Sequence, residues 1–117
     1  MIIKNERAKQ AILVALADKE IMKILDCALF QLKSVTDIIR ECDIPHTTAY
    51  RKIKWLLAEN LLVVDKIEIT PDGKKFSLFR SVFKSISVHY DMGSTVVEAE
   101  ESFDIVDKVT EKFFSLE

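Results

Sequence analysis

The chain is poor in the residues that most chemical motifs require, with two glycines, two prolines, two cysteines and two histidines among 117 residues. No glycine-rich phosphate loop, nucleophile elbow or pair of catalytic carboxylates is present, so we expect no enzymatic activity. The few cysteines and histidines lack the spacing of a four-ligand zinc site, so we expect no metal and no other cofactor.

Long apolar runs are also missing, because none approaches the ~20 residues that cross a bilayer. No signal-peptide core follows the first methionine either. We therefore expect a soluble, cytoplasmic protein without membrane contact, in which Cys27 and Cys42 are reduced thiols.

The charges are distributed unevenly along the chain, whose formal net charge is −2. Residues 1–43 carry seven basic and seven acidic side chains, residues 44–81 carry seven and four, and residues 82–117 carry three and eight. Only the middle segment, with a local charge of +3, is suited to face phosphate, since the acidic end would be repelled by it.

Three helices are predicted in the first third of the chain. Good helix formers fill residues 7–17, and Asp18 can cap a second helix. Side-chain oxygens in residues 34–37 can cap a third helix, predicted over residues 36–41. The second helix has apolar residues at helical spacing on one face, namely Ile21, Ile24, Leu25, Ala28 and Leu29.

A fourth helix is predicted over residues 45–59, directly after a tight break. Pro45 suits the first turn of a helix, where its missing N–H is no loss, and Asn60 suits a left-handed C-cap. One face of this helix is apolar, with Ala49, Ile53, Leu56 and Leu57, and the other side is polar and basic. Two short helices that meet at a tight break, the second with a polar outer face, are typical of a helix-turn-helix.

Two β-hairpins are predicted next. Residues 66–70 and 75–80 alternate around the turn signal Thr70-Pro71-Asp72-Gly73. The alternation continues beyond residue 81, with a second turn at residues 91–94. Ser102 can cap a last helix, one side of which carries Phe103, Val106, Val109, Phe113 and Leu116.

This order of elements resembles a winged helix, and several segments resemble the ArsR-like branch of prokaryotic regulators. The resemblance covers roughly residues 10–80, and the hairpin that follows is reminiscent of archaeal members. It implies an α+β fold, a winged helix-turn-helix with a C-terminal β-hairpin extension and a terminal helix. The similar segments are residues 16–25, Val35-Thr36-Asp37-Ile38-Ile39, Ile44-Pro45-His46-Thr47-Thr48-Ala49-Tyr50-Arg51, Asn60-Leu61-Leu62-Val63 and Ile69-Thr70-Pro71-Asp72-Gly73-Lys74-Lys75.

The resemblance implies that the protein is a transcriptional regulator in which the helix over residues 45–59 reads operator DNA. Repression is the expected outcome. Thr47, Thr48, Tyr50 and Arg51 are the candidates for groove contacts, with Arg51 suited to guanine. His46, Lys52 and Lys54 are the candidates for phosphate contacts, and so are Lys74 and Lys75 at the tip of the wing. A solvated hairpin tip is the alternative interpretation of the two wing lysines, and Arg80 also fits a structural surface charge.

A homodimer is expected because the last helix has more aromatic surface than a small winged helix can cover. Its interface would use Phe103, Val106, Val109, Phe113 and Phe114 together with the first helix, and would set two recognition helices about one DNA turn (~34 Å) apart. Residues 1–81 would then be the DNA-binding domain, and residues 82–117 a dimerisation extension of the same domain.

Metal sensing, which the resemblance raises, is not supported by the sequence. The segment before the recognition helix contains a single cysteine, Cys42, and residues 102–117 contain no histidine. The effector stays unknown. The alternative to a regulator is a winged helix used as a protein–protein interaction module in a transcription or replication assembly, which the modest basic charge and the acidic end leave open.

Overall fold

The computed structural model describes residues 1–102. The predicted last helix and the five predicted interface residues Phe103, Val106, Val109, Phe113 and Phe114 lie outside the described residues. Within them the chain forms four helices followed by four strands. These are α1 (Glu6–Leu16), α2 (Lys19–Cys27), α3 (Val35–Cys42), α4 (His46–Ala58), β1 (Leu62–Ile69), β2 (Lys75–Ser81), β3 (Phe83–Asp91) and β4 (Ser94–Glu101).

The helices begin at side chains that accept hydrogen bonds from their first turns. The Asp18 carboxylate accepts from the amide of Ile21 at 3.0 Å and starts α2. Ser34 and Asp37 form a capping box at the start of α3, in which each side chain accepts from the backbone of the other. Both caps were predicted from the sequence and both are confirmed.

The break between α3 and α4 is a tight left-handed turn. Asp43, the C-cap of α3, has φ 52°, and only two residues separate it from the start of α4 at His46. Pro45 was predicted inside the first turn of α4. The structure corrects this by one residue, because Pro45 has an extended ψ of 145° and occupies the N-cap. The two helices thus form the predicted helix-turn-helix.

One hydrophobic core joins the helices to both hairpins. Its largest fully buried apolar side chains come from α1, α2, α3, α4, β1 and β4, so every layer of the fold contributes to it. The outer side of the helix-turn-helix is left in solvent as a result. These core side chains are Ile12, Ile24, Ile38, Leu56, Leu62 and Val97.

The strands form two separate antiparallel hairpins, β1–β2 and β3–β4. The β1–β2 hairpin follows α4 directly and is the wing, so the predicted α+β winged helix-turn-helix fold with a β-hairpin extension is confirmed. The extension, β3–β4, turns through Met92 and Gly93, which have φ of 50° and 80°. Its outer strand β4 is joined by the N-terminus, since the amide of Ile3 donates to Val97 O at 2.8 Å and the amide of Ala99 to Met1 O at 2.9 Å.

None of the helices formed by residues 1–102 is long and apolar enough to cross a membrane.

Candidate nucleic-acid interface

The outer face of α4 is polar and open to solvent. Its inner face is fixed in the core by Ala49, Ile53 and Leu56, which are buried. Because these three residues recur at helical spacing, the side chains between them are forced outward. Thr48 is half-buried at the edge of this outer face, and five of the predicted contact residues are exposed on it: His46, Thr47, Tyr50, Arg51 and Lys54.

The charge of this face is positive. The thirteen residues of α4 include three basic side chains and no acidic one. Arg51 and Lys54 are exposed, and within residues 1–102 neither takes part in an ion pair. Two cations without internal counterions on one helix face can bind an external anion without first breaking a protein contact.

The nearest acidic residue after α4 is neutralised by another part of the chain. Glu59 follows Ala58 directly, and both of its carboxylate oxygens accept hydrogen bonds from the Arg7 guanidinium at 3.1 Å. This fork-shaped pair joins the end of α4 to the start of α1. The Glu59 side chain is largely buried, so its negative charge is not presented with the outer face.

Lys52, predicted to contact phosphate, is not on the outer face. Its side chain is 12 % exposed, and its ammonium lies 2.5 Å from Asp18 Oδ2 and 3.2 Å from Glu20 Oε1 at the start of α2. These contacts lower the pKa of Asp18 and raise the pKa of Lys52, in each case first through the hydrogen bond between them. Lys52 therefore ties the recognition helix to α2.

The sequence contains a signal for this position of Lys52. At 100° per residue Lys52 lies about 60° from Ala49 and about 40° from Leu56, on the buried flank of the helix. An ammonium in that position needs nearby carboxylates. Asp18 can supply one of them, because a carboxylate that caps a helix retains free lone pairs that can accept a second donor.

The wing tip is a closed turn that presents two lysines. The Thr70 hydroxyl donates to the Asp72 carboxylate and accepts from the amide of Lys74 at 3.0 Å. Gly73 has φ 86°, a value that glycine adopts without strain. Lys74 and Lys75 follow and are exposed. Their contact with DNA stays a prediction.

Arg80 has a structural position at the base of the wing. Its guanidinium lies 3.2 Å from Asp65 Oδ2 and donates to the carbonyl of Leu29 at 3.0 Å. Both charged side chains are largely buried. Arg80 thus joins both strands of the wing to the end of α2, in agreement with the interpretation of this residue as a structural charge.

Trp55 and the two cysteines are not part of this surface. Trp55 is half-buried and packs against the core. Cys42 is buried and Cys27 is half-buried, and both are free thiols. Burial raises the pKa of Cys27 to about 12. No group of three or more His, Cys, Asp or Glu side chains in residues 1–102 is arranged to hold a metal ion.

Comparison with known proteins gives one structural match. No family model and no curated protein sequence matches the chain. Among solved structures, the crystal structure of NolR from Sinorhizobium fredii is similar over 99 % of this chain and 96 % of that one, with 16 % sequence identity and a TM-score of 0.44. This similarity is too distant to support functional assignment.

Proposed function

We propose that the protein is a DNA-binding transcriptional regulator that inserts α4 into the major groove of an operator. The observation that carries this proposal is the outer face of α4, which is exposed, positively charged and, as far as residues 1–102 are concerned, without internal counterions. A helix-turn-helix whose second helix is free on its outer side is the arrangement that enters a duplex groove.

Roles for the side chains follow from their chemistry. Arg51 has the forked guanidinium that contacts guanine O6 and N7, and Thr47 and Thr48 supply hydroxyl and methyl groups for base edges. Tyr50 lies exposed beside them and completes the groove contacts. His46 and Lys54 are placed for phosphate, which positions the helix without reading sequence.

The wing supplies the second contact in this proposal. Lys74 and Lys75 stand at the tip of a turn closed by Thr70, so their backbone is held while their side chains are free. Such a tip meets the phosphate backbone or an adjacent minor groove. Lys52 is left out of the DNA surface because Asp18 and Glu20 already hold it.

The proposal extends to domain organisation, partner and outcome. Residues 1–81 form the DNA-binding domain, and residues 82–117 an extension of it that serves dimerisation. A cytoplasmic homodimer of an ArsR-like repressor, with two copies of α4 about one DNA turn (~34 Å) apart, would read a palindromic operator. Blocking a promoter in this way requires no enzymatic step and no cofactor.

Selection of bound fragments from genomic DNA, followed by titration at several salt concentrations, tests this function. Specific binding should weaken steeply with salt, with a slope of roughly −0.9 per neutralised phosphate. Arg51→Ala should cost ~1–3 kcal/mol and relax specificity at one base position. Lys4→Ala, which also removes one exposed cation but lies before α1, is the matched control and should leave affinity unchanged. Failure to enrich any sequence would contradict the proposal.

A second candidate function is a protein-interaction module. It is favoured by the wing, where Ile67 and Ile69 are exposed apolar side chains on β1. Binding of a protein partner through such residues would depend little on salt, whereas binding to duplex DNA would depend on it strongly. Salt-insensitive capture of a protein, together with absence of DNA binding, would select this alternative.

A further inference from the structure

Among residues 1–102, the outer edge of β3, a strand of nine residues, has no strand paired with it. In this part of the chain β3 pairs with β4 on one side only, and β4 in turn pairs with residues 1–3 on its other side. Unpaired edges of this length are templates for further strands, and proteins usually block them with proline, bulges or charge. The outer part of β3, from Ser85 to Asp91, has no proline and no bulge.

The hairpin geometry identifies which backbone groups point outward. In a hairpin with a two-residue turn the pairs alternate, starting with a hydrogen-bonded pair at Asp91 and Ser94. The groups of Ile86, Val88 and Tyr90 on β3 therefore point away from β4. The equivalent outward residues on β4, Val97 and Ala99, are bonded to Ile3 and Met1.

The three outward residues of β3 have no such partner. Within residues 1–102 no backbone hydrogen bond joins Ile86, Val88 or Tyr90 to any segment outside the hairpin. Their side chains are apolar, and Tyr90 is 72 % exposed. An edge that combines unpaired amides with exposed apolar side chains is suited to accept one more strand.

We propose that this edge binds β3 of a second copy of the chain, antiparallel, with the two-fold axis at Val88. Outward groups must face outward groups, so Val88 pairs with its own counterpart and Ile86 pairs with Tyr90 of the other copy. Each of these three pairs exchanges two backbone bonds, which gives about six hydrogen bonds in all. The interface uses described residues alone and goes beyond the proposed DNA contacts.

The side chains of β3 are complementary to those of a second copy in this register. Ile86 borders an apolar groove, and the register brings the exposed ring of Tyr90 from the other copy onto the same face, next to that groove. The two-fold axis repeats the contact, so both aromatic rings are covered at once. The apolar residues that line the groove are Leu16, Met22, Leu25, Leu29, Phe83 and Ile86, and its polar lining residues are Asp26, Lys84 and Ser85.

The charges of β3 also favour the binding of a second copy of the chain at this edge over the binding of a strongly charged partner. Lys84 lies near one end of the strand and Asp91 at the other, so antiparallel pairing places the basic end of each copy beside the acidic end of the other. Apart from Asp91, the acidic residues of the two strands are Glu98, Glu100 and Glu101, which lie on β4 and would be one strand away from the junction. Like charges therefore do not face each other across it.

Sedimentation of the full-length chain with a matched pair of variants tests the interface. Val88→Lys places two ammonium groups opposite each other on the axis, and should raise the dimer dissociation constant by about tenfold or more. Val96→Lys makes the same chemical change at a residue of similar exposure, 37 % against 40 % for Val88, but on β4. It should leave the dimer unchanged, and thermal melting should show that both variants fold.

Cross-linking provides an independent readout of the register. Facing α-carbons of a hydrogen-bonded antiparallel pair are ~5.5 Å apart, within the range of a disulfide, so Val88→Cys should form covalent dimers on mild oxidation. Val96→Cys would lie three strand spacings from its counterpart, about 14 Å, and should form none. The unaltered chain, with its half-buried and buried thiols, is the background control.

Three outcomes would overturn the proposal. These are a chain that sediments as a monomer at all concentrations, equal cross-linking of the two cysteine variants, and a Val88→Lys variant that dimerises as tightly as the parent. If Phe113→Asp dissociates the dimer while Val88→Lys does not, the dimer instead uses the apolar stripe predicted in residues 103–117.

Discussion

Replacement of Lys52 by methionine should weaken the fold and leave DNA affinity nearly unchanged. Methionine keeps the unbranched side chain but removes the ammonium that lies between Asp18 and Glu20. The residue with the largest exposure of the three is Glu20, at 42 %, so part of the attraction is screened by solvent. Because one largely buried ammonium binds two carboxylates, this cluster nevertheless contributes more to the free energy of unfolding than an ordinary surface ion pair does.

The expected loss in the free energy of unfolding is about 1–2 kcal/mol, the upper range for a partly exposed pair plus the cost of two carboxylates left facing each other. For a chain of this size this corresponds to a fall in Tm of roughly 4–10 °C. Urea unfolding and thermal melting at pH 7 measure it. Lys54→Met is the matched control, because Lys54 is exposed and unpaired within residues 1–102. It should keep its Tm and lose DNA affinity.

The pH dependence of this difference has a definite sign. The pKa of Asp18 is lowered by its hydrogen bonds to Lys52 and to the Ile21 amide, so the folded state binds fewer protons than the unfolded chain near pH 4. Its contribution to stability is therefore present above the ordinary pKa of about 3.9 and is lost as pH falls through the lowered value. The gap in stability between the parent and Lys52→Met should narrow in that acid range.

The opposite result, an unchanged Tm together with weaker DNA binding, would contradict the structural role of Lys52. If Lys52→Met keeps its Tm, but weakens DNA binding and reduces the salt slope by about one, then Lys52 contacts phosphate as the sequence suggested. The carboxylates of Asp18 and Glu20 would then be surface charges that do not stabilise the fold through Lys52.

Two further predictions concern the wing and the thiols. Gly73→Ala should destabilise the fold by about 1 kcal/mol in urea unfolding because φ 86° strains an L-residue, although no atom lies within 4 Å of the added carbon. Gly73→Asn should be milder, since asparagine tolerates left-handed backbone, and equal stabilities of all three chains would contradict the argument. Cys27, whose pKa burial raises to about 12, should be alkylated at pH 8 at least ~100-fold more slowly in the folded chain than in urea, as followed by mass spectrometry. Comparable rates would show that the thiol is not shielded.

Local signals in the sequence are sufficient to predict most of the backbone structure. The caps at Asp18 and Ser34, the left-handed Asn60 and the turn at residues 70–73 each depend on a few adjacent residues, and all were predicted. Ala49, Ile53 and Leu56 of α4 are buried, and most of the predicted contact residues are exposed, as predicted. Leu57 and Thr48 are instead half-buried, and Lys52 lies against α2. The sequence pattern alone predicts the backbone where a residue and its immediate neighbours determine the local geometry.

Interactions between distant segments could not be predicted in this way. Residues 1–3 are too few to predict a strand from their pattern, and they pair with β4, through an isolated bridge at Ile2, because β4 presents an edge to them. The pairing of Arg7 with Glu59 spans 52 positions, and that of Lys52 with Asp18 spans 34. The same limit applies to the thiols, whose burial depends on how α2 packs against α3.

The long-range ion pairs also explain how a chain of net charge −2 can present a basic surface. Each pair places an acidic group against a cation away from the outer face of α4: Glu59 binds Arg7, and Asp18 and Glu20 bind Lys52. Arg51 and Lys54 keep their charge for an external partner. The electrostatic field near a surface depends on the nearest unpaired charges, because salt at physiological concentration screens charges that are more than ~8–10 Å away. Acidic residues on β4 that lie beyond this distance therefore contribute little to the field at α4. Ion pairing within the fold, and not the net charge of the chain, therefore determines whether the recognition helix can bind an external anion.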